Sequence, residues 1–388
     1  MPINNRIAAL AENIKPIRHD LHMHPELLYD VERTAGVVAQ KLRDYGCDEV
    51  VTGIGRTGVV GVIKGRKGSS GKVIGLRADM DALPILEATG LPHASQTPGK
   101  MHACGHDGHT AMLLGAASYL AETRNFDGTA VVIFQPAEEG GAGGRAMVED
   151  GLMERFGIAE VYGMHNAPGL PIGAFATRKG PIMAATDSFD ILIEGRGGHA
   201  AKPHETIDPI VVGSQMVSAL QSIVSRNVDP LDSCVVSVTA FNAGNTHNVI
   251  PQSAMLLGTI RTLKSETRVF AQKRLREIAE GIANAHQAKV TISLKDGYPV
   301  TANHDQQTDF AVKVAREVAG TDRVMPNMEP VMGAEDFSYM LLARPGAFVF
   351  VGNGDSAGLH HPAYEFNDDA LPVGMSYWAK LVETAMPA

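Results

Sequence analysis

Apolar residues recur at three- and four-residue steps from Ile7 to Leu21 and from Thr34 to Tyr45, the spacing of a helix with one buried stripe. Short apolar runs at Val59 to Ile63 and Val73 to Leu76 predict buried strands. A helix over His109 to Leu120, capped by Asp107, and a buried strand over Ala130 to Phe134 follow. Strand, helix and strand at this spacing predict an α/β sheet covered by helices on both faces.

The middle of the chain has another rhythm. Ser188 to Ile193 alternates as a strand, Ile210 to Val224 has helical period, and Val235 to Phe241 and Met255 to Thr262 are strands. Glu266 to Ala285 is a charged amphipathic helix, and Val290 to Leu294 completes the order βαββαβ, a ferredoxin-like signature. Lys179-Gly180-Pro181 and Asp296-Gly297-Tyr298-Pro299 bracket this stretch, as two hinges would. A helix over Phe310 to Val318, a strand over Ala347 to Val351 and a terminal helix from about Asp369 resume the α/β pattern. The expected organisation is a catalytic domain in two parts, residues 1–184 and 297–388, interrupted by a small lid domain at residues 185–296.

Composition narrows the function classes. With 388 residues, 44% hydrophobic and 20% charged, the chain is long enough for one large domain and a smaller one. A net charge of -9 argues against nucleic acid as partner, because phosphate binding needs a basic face. The opening Met1-Pro2-Ile3-Asn4-Asn5-Arg6 lacks the apolar stretch of a secretory signal, and no apolar run spans a bilayer. Cys47, Cys104 and Cys234 are too few and too scattered for a disulfide framework, so a cytoplasmic protein is expected, with no membrane partner.

Four clusters are candidates for chemistry, each just past a predicted strand. In His102-Ala103-Cys104-Gly105-His106-Asp107-Gly108-His109, Cys104 and His106 alternate and can face one way. Thiolate with imidazole suits a borderline-soft divalent ion. An isolated Cys-x-His is more often a buried structural cysteine beside surface histidines. A nucleophilic Cys104 with His106 or His109 as base is a second alternative. Gln135-Pro136-Ala137-Glu138-Glu139-Gly140 sets two carboxylates at a strand's carboxyl end, where α/β enzymes keep their sites. Adjacent side chains of an extended segment diverge, so one glutamate can bind metal while its neighbour holds a water. His165 follows the third strand, and His360-His361-Pro362 follows the last.

Taken together, these motifs resemble the metallopeptidase superfamily of carboxypeptidase G and aminoacylase, in its hippurate hydrolase and auxin-conjugate hydrolase branch. Further matching segments are Arg18-His19-Asp20-Leu21-His22-Met23-His24-Pro25-Glu26-Leu27, Leu76-Arg77-Ala78-Asp79-Met80-Asp81-Ala82-Leu83-Pro84, Gly197-Gly198-His199-Ala200-Ala201, Asn248-Val249-Ile250-Pro251, Gly258-Thr259-Ile260-Arg261-Thr262 and Gly333-Ala334-Glu335-Asp336-Phe337. The resemblance covers the chain almost end to end. It implies a mixed-sheet, zinc-exopeptidase-like catalytic domain with an inserted ferredoxin-like lid and dimerisation domain.

By position, the resemblance implies metal ligands at Cys104, His106, Glu139, His165 and His360, a catalytic carboxylate at Glu138, and Asp79 and Asp81 supporting the site from behind. It also implies two divalent ions per chain (zinc, manganese, nickel or cobalt), an N-acyl amino acid as substrate, and a homodimer formed through the lid. His361 stands where such proteins carry a small residue, so His360 and His361 both remain open as the last ligand. His199, after a glycine pair, is the histidine that the resemblance places over the site on closure; by itself it reads as a loop histidine. Arg261 can grip a substrate carboxylate with its guanidinium fork, with Asn248 as an amide donor; pairing with Glu194 is the plain alternative. A dipeptidase or small carboxypeptidase would use the same site, and a non-catalytic binding protein would keep the fold without needing Glu138.

Overall fold

The computed structural model describes residues 5–388; the first four residues of the polar opening, Met1 to Asn4, lie outside the described residues. Contacts divide the chain into two compact units. Among the described residues, the larger comprises residues 5–182, 302–329 and 336–388, and the smaller residues 183–301 with 330–335.

The larger unit is built on an eight-stranded mixed sheet. Its strands run in the order Glu49–Ile54, Gly58–Lys64, Thr129–Gln135, Val73–Asp79, Glu160–Pro168, Gly346–Gly354, Phe175–Ala176 and Val324–Met325. The four central strands, from Thr129–Gln135 to Gly346–Gly354, are mutually parallel. Buried on both faces, they read as nearly continuous apolar runs, as in Thr129-Ala130-Val131-Val132-Ile133-Phe134. Parallel alignment puts all four carboxyl ends at one edge; Asp79, Glu138 and His360 lie at or beyond those ends, and His165 lies within Glu160–Pro168, three residues before its end. The helix His106–Thr123 is buried nearly all round and packs against the helices Asn5–Met23 and Leu371–Ala385. A helix apolar on every side needs this cover. Each Leu or Met it buries contributes roughly 1.5–3 kcal/mol.

This helix corrects one expectation. It begins at His106, not His109, after Gly105 in a left-handed conformation, and no side chain caps it. Asp107 is the second residue of the helix, and its carboxylate is engaged by Arg18 at 3.2 Å and His22 at 2.9 Å. Two buried cations hold Asp107, so it does not fold back onto its own backbone.

The smaller unit carries a four-stranded antiparallel sheet in the order Cys234–Ala243, Ser253–Thr262, Ala185–Glu194, Lys289–Asp296. With the helices Pro209–Ser222 and Ser265–Ala285 this is the βαββαβ arrangement that the sequence pattern predicts. Alternate residues Ala254, Leu256 and Ile260 are buried in its core, while Met255, Leu257, Thr259 and Arg261 are only partly buried. No helix among the described residues is long and apolar enough to cross a membrane.

Candidate metal centre

Cys104, His106 and His165 converge at the carboxyl edge of the central strands and are almost wholly buried. Their ligand atoms lie within 4.8 Å of one another, and so do those of Cys104, Glu139 and His360; the two groups share Cys104. Cys104 Sγ is 3.3 Å from His165 Nε2. Glu139 Oε1 lies 3.3 Å from His360 Nε2 and 3.9 Å from His106 Nε2.

The imidazoles are fixed through their outer nitrogens. His106 Nδ1 donates to the Asp81 carbonyl oxygen at 2.8 Å, and His165 Nδ1 donates to the Asn166 carbonyl oxygen at 2.7 Å. A carbonyl only accepts, so each Nδ1 carries a proton and Nε2 is the ring nitrogen left for a metal. Backbone constraints make this geometry specific. Gly105 has φ +90°, and a Cβ there would meet Asn166 Nδ2 at 2.3 Å.

The surrounding groups hold the loops in place. Asp81 accepts the backbone N–H groups of Glu138 at 2.9 Å and Glu139 at 3.1 Å, one on each carboxylate oxygen. Asp79 is held by His109 Nδ1 at 2.6 Å and Arg77 Nη1 at 2.7 Å. His109 Nε2 in turn accepts from the Asn166 backbone N–H at 2.9 Å, so both of its nitrogens are engaged within the protein. Arg77 is fully buried and also donates to Gln135 at 2.9 Å and Asp336 at 3.0 Å. An unpaired guanidinium at that depth would cost several kcal/mol, so the three partners are a requirement of folding.

Electrostatics show what the pocket wants. Burial opposes charge on Asp79, yet His106, Arg77 and His109 hold its carboxyl well below the usual range. Burial with His109 nearby keeps His165 neutral, the form that binds metal. Burial pushes the Cys104 thiol well above its ordinary value, so a bare thiolate is disfavoured and a cation at Sγ is needed to displace the proton. That weighs against the nucleophile alternative. Two buried atoms, His106 Nε2 and Glu139 Oε1, make no well-formed hydrogen bond, Glu139 Oε1 having the 3.3 Å contact with His360 Nε2 in its place. Orphaned donor atoms of this kind, aligned with a thiol and further imidazoles, fit divalent ions.

His360 lies beside Glu139, whereas His361 Nδ1 accepts the backbone N–H of Ala363 at 3.0 Å and falls in none of the candidate groups. In the smaller unit, His199 and Asn248 are neighbours on a two-stranded ribbon. Val249 pairs with His199, and Ala200 N–H donates to the Asn248 carbonyl oxygen at 3.0 Å. Arg261 is half-buried and donates to Thr259 Oγ1 at 3.3 Å. Its pairing with Glu194 does not form, because Glu194 lies opposite Ser253, at the other end of the strand.

Sequence reasoning gave no role to Arg77, Asn166 or Asp336, and treated His109 only as a possible base. The signal for Arg77 was a charge inside an apolar strand run; Asp336, 259 positions away, carried none.

The comparisons with known proteins agree with this geometry. Residues 75–384 match the model of Peptidase family M20/M25/M40. The chain is 47% identical to a hippurate hydrolase of Campylobacter jejuni, over 97% of both chains. It is 41% identical to an N-acetylcysteine deacetylase of Bacillus subtilis, over 94% of both. The crystal structure of a Bacillus subtilis protein described as a dinuclear metal binding peptidase from the M20 family superposes with a TM-score of 0.85, at 37% identity, over 98% of this chain and 99% of that one. With its four site-bearing strand ends and its inserted ferredoxin-like unit, the chain belongs to Peptidase family M20/M25/M40.

Proposed function

We propose that this protein is a metal-dependent amidohydrolase that cleaves N-acyl amino acids to a carboxylate and a free amino acid. The observation that carries the reading is the pair of orphaned buried atoms, His106 Nε2 and Glu139 Oε1, set among Cys104, His165 and His360. Relatives whose names specify hippurate and N-acetylcysteine, both N-acyl amino acids, support the substrate class.

In this reading Cys104, His106, Glu139, His165 and His360 hold two divalent ions, and zinc, manganese, nickel and cobalt all suit the mixed donor set. When bound, such ions make a water acidic enough to ionise near neutral pH and polarise the amide carbonyl. Glu138 takes the proton released as the water oxygen bonds to the carbonyl carbon. It delivers that proton to the amide nitrogen as the C–N bond breaks. Asp81 clamps the backbone of both glutamates, so Glu138 stays aimed while Glu139 is occupied. Asp79 positions the site through His109 and Arg77.

The smaller unit acts as the lid and homodimerisation domain. His199 stabilises the developing oxyanion, Arg261 grips the substrate carboxylate and Asn248 adds an amide donor. Cys47, Cys104 and Cys234 are free of disulfides, which fits a cytoplasmic location. The test is a panel of N-acyl amino acids and dipeptides offered to metal-loaded protein. Turnover of N-acyl amino acids well above dipeptides is expected; cleavage of dipeptides alone would replace this reading with a dipeptidase.

A further inference from the structure

The segment Glu26 to Tyr29 is stitched to both loops that carry the site's carboxylates. The Glu26 carbonyl oxygen accepts the N–H of Ala82, next to Asp81, at 2.8 Å, and Leu27 forms a parallel bridge with Ala82. The Leu28 carbonyl oxygen accepts the N–H of Ala137, next to Glu138, at 3.1 Å. The Tyr29 hydroxyl donates to the Gly141 carbonyl oxygen at 2.7 Å, just beyond Glu139.

Within this segment Leu28 is an anomaly. It has φ +50°, a left-handed conformation that glycine adopts freely and leucine does not. Asn and Asp offset that cost by local hydrogen bonding, which a leucine side chain cannot do. Nor is Leu28 a core residue held there by packing, for 41% of it is exposed. An exposed leucine is ordinary, and so is an occasional positive φ. Both together, on the backbone that braces the residue before Glu138, are not. Ala137, Ala142 and His360 share the positive φ, so backbone strain gathers on the loops of this site.

We infer that Leu28 forms an apolar wall for the acyl group of the substrate, and that it sets a preference for bulky apolar acyl groups over acetyl. The inference rests on the amidohydrolase reading above and adds the acyl half of its specificity. A ligand covering Leu28 would give this exposed apolar side chain a packing partner at a position where glycine would strain the chain less.

The experiment compares wild type with Leu28→Gly and Leu28→Met, each loaded with metal, by kcat/KM on N-benzoylglycine and N-acetylglycine. Thermal midpoint and bound metal are measured alongside. Leu28→Gly is expected to keep its metal and its midpoint, or gain in midpoint, because the strain is relieved. Its benzoyl-to-acetyl ratio should fall about ten-fold, the scale at which apolar pockets discriminate. Leu28→Met should keep the ratio within about two-fold, since volume is conserved. An unchanged ratio in Leu28→Gly overturns the inference. So does a lowered midpoint with both rates falling in parallel, which would make Leu28 a packing residue. A wild type that cleaves neither substrate refutes the amidohydrolase reading itself.

Discussion

In the larger unit, Cys104, His106 and His165 are almost wholly buried, and the ring nitrogens turned away from the pocket are fixed by the carbonyls of Asp81 and Asn166. In the smaller unit, His199 and Asn248 are exposed on and beside a ribbon two residues long, and Arg261 is half-buried, donating to the Thr259 hydroxyl with Asp187 nearby. The first set is built before any ligand arrives, its geometry enforced by packing that would be costly to undo. The second has little holding it to one position, so its contribution is realised when substrate supplies the missing partner. On the proposed reading, preorganised chemistry and substrate-dependent recognition would be divided between the two units.

The largest effect that would break this division is on Glu138. Glu138→Gln should retain bound metal while kcat falls about 10²- to 10⁴-fold, the usual scale of a lost proton carrier. Glu139→Gln should do the opposite first, losing metal, with partial rescue by excess ion. Metal analysis beside kcat separates the two; near-native turnover of Glu138→Gln would remove it from the mechanism.

A second contrast lies in pH. Burial opposes charge on His22, but Asp107 and then Glu87 overcome it and raise its pKa from 6.5 to about 9. A raised histidine pKa stabilises the fold fully below the unfolded value of 6.5, and the contribution is lost as pH rises through about 9. His22→Gln should therefore cost about 3 kcal/mol at about pH 6, and much less at about pH 9.5. Urea unfolding at both pH values checks this; a loss equal at both would show packing, not charge, at work.

How much of this was legible in the sequence follows from the distance over which each feature acts. The central strands were legible because a strand buried on both faces must be a near-continuous apolar run. Phe175–Ala176 and Val324–Met325, at two residues each, are too short for any period to register. Glu138 and Glu139 were legible because they come shortly after a strand, whereas His165, expected just past a strand, lies within Glu160–Pro168 near its carboxyl end. Arg77 and Asp336 were not, since their pairing spans 259 positions and no local pattern encodes it. The cap assigned to Asp107 failed for the same reason, its true partners being Arg18 and His22, 89 and 85 positions back.

Arg261 sharpens the comparison from the smaller unit. Wild type should prefer an N-acyl amino acid over its carboxamide, and Arg261→Ala should lose roughly ten- to hundred-fold of that preference, through kcat as well as KM. Arg261→Lys should not restore it, because an ammonium cannot reproduce the fork. An undiminished preference in Arg261→Ala would place carboxylate recognition elsewhere. The smallest effect is expected at His109. His109→Gln should weaken metal affinity by roughly ten-fold through a misplaced Asp79, with the acid-over-carboxamide preference intact. Loss of that preference as well would show that the two units do not divide the work.

The central claim is that the buried cluster holds the ions that make the hydrolysis possible. It is tested most directly by stripping metal from the protein and titrating it back while following hydrolysis of N-benzoylglycine. The account predicts no turnover in stripped protein and recovery that reaches a plateau near about two equivalents per chain. Full turnover in stripped protein, abolished only by alkylating Cys104, would contradict it.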